Sequence, residues 1–224
     1  MSTSADLREQ LTSTVHAVLG TQAISGSGHG NVSLRIPGRG ELLFTAAPGL
    51  KNFDLSGVAR IGLDGAVLEG AVSPAQAAII GMHCLVYREQ PETACVIHTH
   101  SPYATAFAIA HRPIEAWSEA FGILGIEDGV PVAAYGPRGS EQSLNNIRDV
   151  LGERTRAVLL ANHGILNWHE KPEMAVMVGA MVEEAAQAAV FAEVLGGARV
   201  IPPEMLRASH DRHAAFHAAG EVRA

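Results

Sequence analysis

Ala94-Cys95-Val96-Ile97-His98-Thr99-His100-Ser101-Pro102 reads as a short β-strand that ends on two histidines and turns at once into a helix. Side chains alternate along a strand, so His98 and His100 leave it on the same side. Upstream, Ser73-Pro74 opens a helix to about Arg88, with Ser as N-cap and Pro in the first turn. Before it, Asn31 to Ile36 and Glu41 to Thr45 form a hairpin around Pro37-Gly38-Arg39-Gly40, and Val58 to Ile61 with Ala66 to Leu68 form another. The chain opens with Leu7, Leu11, Val15 and Val18 at helical spacing. Downstream, Ser101-Pro102 caps a helix to about Ala110. Val130 to Tyr135 is a strand, Ser140 to Leu151 a helix and Ala157 to Ala161 a buried strand. Met174 to Leu195 is a long helix stopped by Gly196-Gly197, and the tail from Pro202 is helical or frayed.

Helices alternate with strands, but several strands come in hairpins, which predicts a mixed or antiparallel sheet covered by helices. No repeat or linker divides the 224 residues, so the chain is expected to be one domain, 1–224, with a core of about 7–197 and a tail of about 202–224. A domain of this size buries about 70% of its unfolded surface and needs no disulfide staples. Net charge is −7 with only 16 Lys and Arg, and no basic run occurs, which argues against nucleic acid or an anionic membrane as partner. The Met174 to Leu195 helix is interrupted by Glu183, Glu184, Gln187 and Glu193, so no membrane span is expected. Cys84 and Cys95 form neither a CxxC pair nor a disulfide framework and read as buried thiols, which suits a reducing cytoplasm. Mean hydropathy is positive, +0.14, and the charged fraction is low. Apolar surface is therefore expected to be hidden in a subunit interface.

Among 11 histidines, position matters more than number. Two imidazoles at a strand end can bind a divalent transition metal, although two exposed histidines explain the pair equally well. Ala157-Val158-Leu159-Leu160-Ala161-Asn162-His163-Gly164 is a second apolar strand that delivers a histidine into a glycine turn. If the two strands are neighbours, His98, His100 and His163 converge, and three His ligands with an open position characterise a catalytic metal. A third element, Gly26-Ser27-Gly28-His29-Gly30-Asn31-Val32-Ser33, offers backbone N–H groups and an Asn to an anion or carbonyl, or serves only as a tight turn. His83 is expected to be a satisfied core histidine. Arg138 either reaches a substrate carboxylate or belongs to a surface turn.

Together these segments resemble the class II aldolase/adducin family. The likeness lies in Gly30-Asn31-Val32-Ser33, Leu42-Leu43-Phe44-Thr45, Met82-His83, Val96-Ile97-His98-Thr99-His100 and Asn162-His163-Gly164, in order from about Leu7 to Gly196. The resemblance implies an α/β fold: a single three-layer α/β/α domain with a mostly antiparallel central sheet. It also implies a homotetramer whose active sites lie at subunit interfaces. In the family's sugar-phosphate aldolases, histidines matching His98, His100 and His163 hold Zn²⁺, which polarises a carbonyl and stabilises an enediolate. A divalent metal is therefore expected here, Zn first, with Mn, Co or Fe as alternatives.

The chain also departs from that pattern. The family's Ser-Ser-Glu motif falls on a stretch without a carboxylate, its Glu slot on Ala78 or Ile79, and Glu69 is a weak substitute. Thr-Pro-Thr-Gly is replaced by Thr45-Ala46-Ala47-Pro48-Gly49, and the paired serines are lost around Ala75 to Ala77. Each hydroxyl donor lost to a dianion forfeits on the order of 1.5–3 kcal/mol. A small non-phosphorylated carbonyl compound or hydroxy acid, aromatic ones included, is thus the expected substrate. Asn31, Gly30, Thr45 and Trp117 are the candidate substrate contacts. Glu119, lying between apolar neighbours, is the first candidate for a replacement acid/base and His29 the second. The expected activity is that of a metal-dependent lyase, by aldol cleavage or by decarboxylation. Decarboxylation suits the missing Glu because CO₂ leaves a carboxylate already ionised. Alternatives are a three-His non-haem iron oxygenase and a non-catalytic, adducin-like assembly domain.

Overall fold

The computed structural model describes residues 4–221. At its centre β5 (Cys95–Thr99) lies between β1 (Gly30–Arg35) and β8 (Gly164–His169), antiparallel to both. Beyond β1 run β2 (Glu41–Thr45), β3 (Val58–Gly62) and β4 (Val67–Glu69); beyond β8 run β7 (Ala157–Leu160) and β6 (Val132–Ala133). The sheet has eight strands in the order β4-β3-β2-β1-β5-β8-β7-β6, and only the β6–β7 pair is parallel. One face carries α2 (Pro74–Glu89) and α5 (Glu141–Arg148), packed on Phe44, Ile61, Val96, Leu166 and Trp168. The other carries α1 (Ser4–Leu19), α3 (Pro102–Ile109) and α6 (Pro172–Val194). At its end the short α4 (Ala120–Ile123) packs on α7 (Pro203–Glu221). This is the three-layer arrangement with a mostly antiparallel sheet that the family resemblance implies.

The elements follow from local chemistry. Leu7, Leu11, Val15 and Val18 form the buried stripe of α1, each worth about 1.5–3 kcal/mol on burial. Ser73 caps α2 by accepting from the Gln76 N–H. On β5, Val96 faces α2 while Cys95 and Ile97 face α1, so the period of two carries His98 and His100 to the α2 side. Both cysteines are buried and free, and burial raises the Cys84 thiol to about 11. By length and composition α6 could cross a membrane, yet here it packs on α3, β8, β5 and α1.

Three expectations need correction. The strand β8 has no counterpart among the elements expected from the sequence, which pass from Gly164 directly to the long helix; β7 is consequently separated from β5 by one strand rather than beside it. The Val130 to Tyr135 strand shrinks to Val132–Ala133. Pro131 has no N–H to offer a ladder, and the Asn146 amide takes the Ala134 and Tyr135 carbonyls at 3.0 and 3.1 Å. Finally, the Ser101 side chain makes no cap bond to α3. The Glu183 carboxylate of α6 does so instead, accepting the Tyr103 and Ala104 N–H groups at 2.8 Å each.

Glu183 is buried, and burial raises its carboxyl above the ordinary value against the pull of those two N–H groups. Glu183→Ala leaves both donors without an acceptor and should cost about 2–3 kcal/mol, read as a shift in the urea midpoint. Because the folded pKa is raised, the neutral carboxyl is the form the fold favours. Its contribution is complete below the unfolded pKa and shrinks as pH rises through the folded one. The gap between wild type and variant should narrow over that window.

Candidate metal centre and its cavity

His98 and His100 stand at the end of β5, and His163 occupies the turn between β7 and β8. One ligand atom from each lies within 4.8 Å of the others, and the ring centroids are 4.7–5.0 Å apart. The convergence is real, but the expected adjacency of β5 and β7 does not produce it. It arises because β8 pairs with β5, placing Ile165 opposite Thr99, so the turn that feeds β8 hangs over the histidine end of β5.

Two glycines permit this closeness. A Cβ at Gly30 would stand 2.6 Å from the His98 carbonyl oxygen, and one at Gly164 would stand 2.5 Å from that of Thr99. Gly30, a candidate substrate contact, is thus explained by strand approach. The His163 turn is held by a further contact. Among the described residues only His111 and Asn162 are non-glycines with positive φ, at 52° and 58°. Their side chains meet at 2.7 Å, Nε2 to Oδ1.

His98 is buried, and its Nδ1–H donates to the Ile165 carbonyl at 2.8 Å. That bond fixes the tautomer and leaves Nε2 free as a ligand. Burial, then His163 and His100, holds His98 well below the ordinary histidine range. Burial, then His100 and Arg138, lowers His163 to about 4. Burial, then His29 and Arg138, lowers His100. All three are therefore neutral at pH 7, the state in which imidazole ligates metal. Three neutral nitrogens, one pre-oriented by a backbone carbonyl, fit a divalent transition metal with small side-chain rotations.

A cavity of about 330 Å³ opens beside His100 and His163. Its walls are mostly small and apolar, including Ala77, Ala78 and Gly81 from α2, with Tyr135 and Arg138 from the loop before α5. Both candidate positions of the absent Glu, Ala78 and Ile79, line it, and among the described residues no carboxylate does. The loop lies directly on α2: a Cβ at Gly139 would come 2.9 Å from that of Ala78.

The remaining candidates divide. His29 is exposed beside the centre, its ring centroid 6.0 Å from that of His100 and its Nδ1 3.1 Å from Ser27 Oγ. Glu119 is not beside the three histidines: it is exposed at the start of α4 and accepts from Ser209 of α7 at 2.7 Å. The expectation of a carboxylate enclosed by apolar neighbours fails because the apolar residues around it, Ala116 and Phe121, turn into the core without it. Trp117 packs on Phe107 at 5.6 Å and is not part of the cavity wall. Thr45 is buried, its hydroxyl accepting the Val32 N–H at 2.9 Å. Asn31 is also buried and donates to Gln76 Oε1 at 2.6 Å, while Gln76 Nε2 donates to the Ala47 carbonyl at 2.7 Å. Sequence reasoning missed Gln76, since nothing local distinguishes it from any polar residue in a first helical turn. His83 is buried in the core as expected but only half satisfied: Nδ1 lies 2.8 Å from Ser33 Oγ, whereas Nε2 has no partner among the described residues, and burial lowers the ring to about 3.

Comparison with known proteins gives a consistent picture. The sequence profile of the Class II Aldolase and Adducin N-terminal domain matches residues 10–190. The 5-deoxy-D-ribulose 1-phosphate aldolase of Bacillus thuringiensis serovar kurstaki is 29% identical over 199 residues, 88% of this chain and 90% of that protein. The L-fuculose phosphate aldolase of Haemophilus influenzae is 30% identical over 104 residues, 46% of this chain and 47% of that protein. Among solved structures, an L-fuculose 1-phosphate aldolase superposes with a TM-score of 0.80 at 24% identity, covering 95% of this chain and 97% of its own. The L-fuculose-1-phosphate aldolase of Thermus thermophilus gives 0.69 at 22% identity, covering 88% and 100%.

Proposed function

Because the chain belongs to the class II aldolase and adducin family, we propose that it is a metal-dependent lyase, cleaving a C–C bond by aldol cleavage or decarboxylation in a small non-phosphorylated carbonyl compound or hydroxy acid. The observation that carries the reading is the convergence of His98, His100 and His163, the last two lining a cavity. These three residues would hold the metal, Zn²⁺ first among the candidates. A divalent ion there supplies Lewis acidity, which lowers the cost of negative charge left on a substrate oxygen. The chain's own residues do the rest. The Ile165 carbonyl orients His98, and the cavity beside His100 and His163 gives the substrate room next to the metal ligands.

In decarboxylation the bond to the carboxylate breaks, CO₂ departs, its electron pair becomes an enolate, and a proton returns to carbon. His29, beside His100, is the titratable side chain placed to exchange that proton. The relatives are named for sugar phosphates, whereas three features support a substrate without phosphate here. Asn31 is engaged by Gln76, Thr45 by the Val32 N–H, and Ala77 and Ala78 present only methyl groups to the cavity. We further read the protein as one cytoplasmic domain, 1–224, that assembles as a homotetramer with active sites at its interfaces. Phe191, Val194 and Leu195, all exposed on or just after α6, supply apolar surface for assembly.

Elemental analysis of anaerobically purified protein should find on the order of one divalent ion per three-histidine centre, and incubation with small oxo and hydroxy acids should release aldehyde or CO₂. Absence of bound metal would sink the catalytic reading in favour of an assembly domain. Iron with substrate-dependent oxygen uptake would replace the lyase by an oxygenase. Faster turnover of a phosphorylated sugar than of its unphosphorylated counterpart would overturn the substrate class.

A further inference from the structure

We propose that Arg138 is the substrate's carboxylate anchor, so that the cavity takes a small oxo- or hydroxycarboxylate with its acid group on the guanidinium and its carbonyl toward His100 and His163. The inference rests on the lyase reading above and narrows it. Arg138 lines the same cavity as the two histidines. Its Nη2 donates to the Ala75 carbonyl at 2.7 Å, which positions the fork without neutralising it. Arg138 forms no ion pair among the described residues. No acidic side chain among them lines the cavity.

The surroundings add to the positive potential. Ala75 belongs to the first turn of α2, and that turn has no acidic residue, so the guanidinium sits at the positive end of a 16-residue helix. A cation held there, with no acid to oppose it, is complementary to an anionic ligand. Carboxylate rather than phosphate follows from the donor inventory: one planar fork matches a carboxylate bidentately. A dianionic phosphate needs further donors, and the neighbouring wall is Ala77, Ala78 and Gly81. The anchored carboxylate is the one retained in the product: the bond that breaks is the C–C bond of an aldol or, where the reaction is decarboxylation, the bond to a second carboxylate of the substrate.

The test is calorimetric titration of the metal-loaded protein with pyruvate, its uncharged counterpart pyruvamide and inorganic phosphate, in wild type, Arg138→Ala, Arg138→Gln and Arg138→Lys. Wild type should prefer pyruvate to pyruvamide. Ala and Gln should each weaken pyruvate about 10- to 100-fold and leave pyruvamide and metal content unchanged, while Lys restores part of the loss. Equal pyruvate binding in wild type and in the Gln variant would overturn the anchor while leaving the lyase reading intact. A metal-loaded wild type that binds no pyruvate would also overturn it. Phosphate binding tighter than pyruvate and lost with Arg138 would reassign the residue to a phosphorylated substrate. A wild type that cannot be loaded with metal would refute the lyase reading itself, and this anchor with it.

Discussion

The His98→Ala variant is expected to lose its metal, with affinity reduced at least about 100-fold, and turnover should fall on the order of 10³-fold. His98 is the best prepared of the three ligands: 1% exposed, with its tautomer set by the Ile165 carbonyl. Removing only the groups that orient a ligand costs a metal site about 10- to 100-fold in affinity, so removing a ligand and its orienting bond together must cost at least as much. A readout independent of turnover is available. An ion that binds only the folded chain stabilises it by about 4 kcal/mol at a thousand times its Kd. At that zinc concentration a 100-fold weaker site retains at most about 1.4 kcal/mol, so zinc should raise the melting temperature of wild type at least about twice as far as that of the variant. The exposed His16 of α1 provides the control: His16→Ala should keep both metal and thermal shift. Stoichiometric metal retained in His98→Ala would show that the three nitrogens do not act together.

Gly164→Ala should harm the protein through a single methyl group. The added Cβ would stand 2.5 Å from the Thr99 carbonyl oxygen and 3.0 Å from His100 Cδ2. The first of these is backbone in the central strand and has little room to yield. Either β8 moves away from β5 or the His100 ring is displaced, and both separate His163 from its partners. Overpacking of this kind costs about 1–3 kcal/mol, and the displaced ligands should lower zinc affinity about tenfold or more. Gly40→Ala tests the reasoning. Nothing lies within 4 Å of a Cβ there, so it should be neutral or slightly stabilising, by up to about 1 kcal/mol. Urea unfolding of both variants with and without zinc separates the effects. Equal stability and equal zinc affinity in Gly164→Ala and wild type would mean that the strand approach has slack that its geometry denies.

Much of this is legible in residues close together in the chain. The period of two in Val96, His98 and His100 places both imidazoles on one face, and Ser73-Pro74 marks the start of α2. The run Ile165-Leu166-Asn167-Trp168 after a glycine turn is the signal that could have found β8. That strand carries the Ile165 carbonyl that orients His98. Glu119 misleads because a sequence pattern cannot tell which way a side chain leaves a short irregular segment; contact with α7 decides that.

By itself the sequence determined a mixed or antiparallel sheet covered by helices, its hairpins and three histidines delivered by two strands, because hydrophobic period, turn chemistry and residue type act over a few neighbours. The three-layer plan and the convergence of those histidines were implied by the family resemblance. Tertiary structure alone decided that β8 separates β7 from β5 and that Gln76 occupies Asn31 across 45 residues. It also decided that Arg138 lies against α2 across 63 residues, facing the cavity of His100 and His163. Those outcomes depend on which surfaces meet when the helices close over the sheet, and neither the period nor the composition of a local segment encodes that meeting.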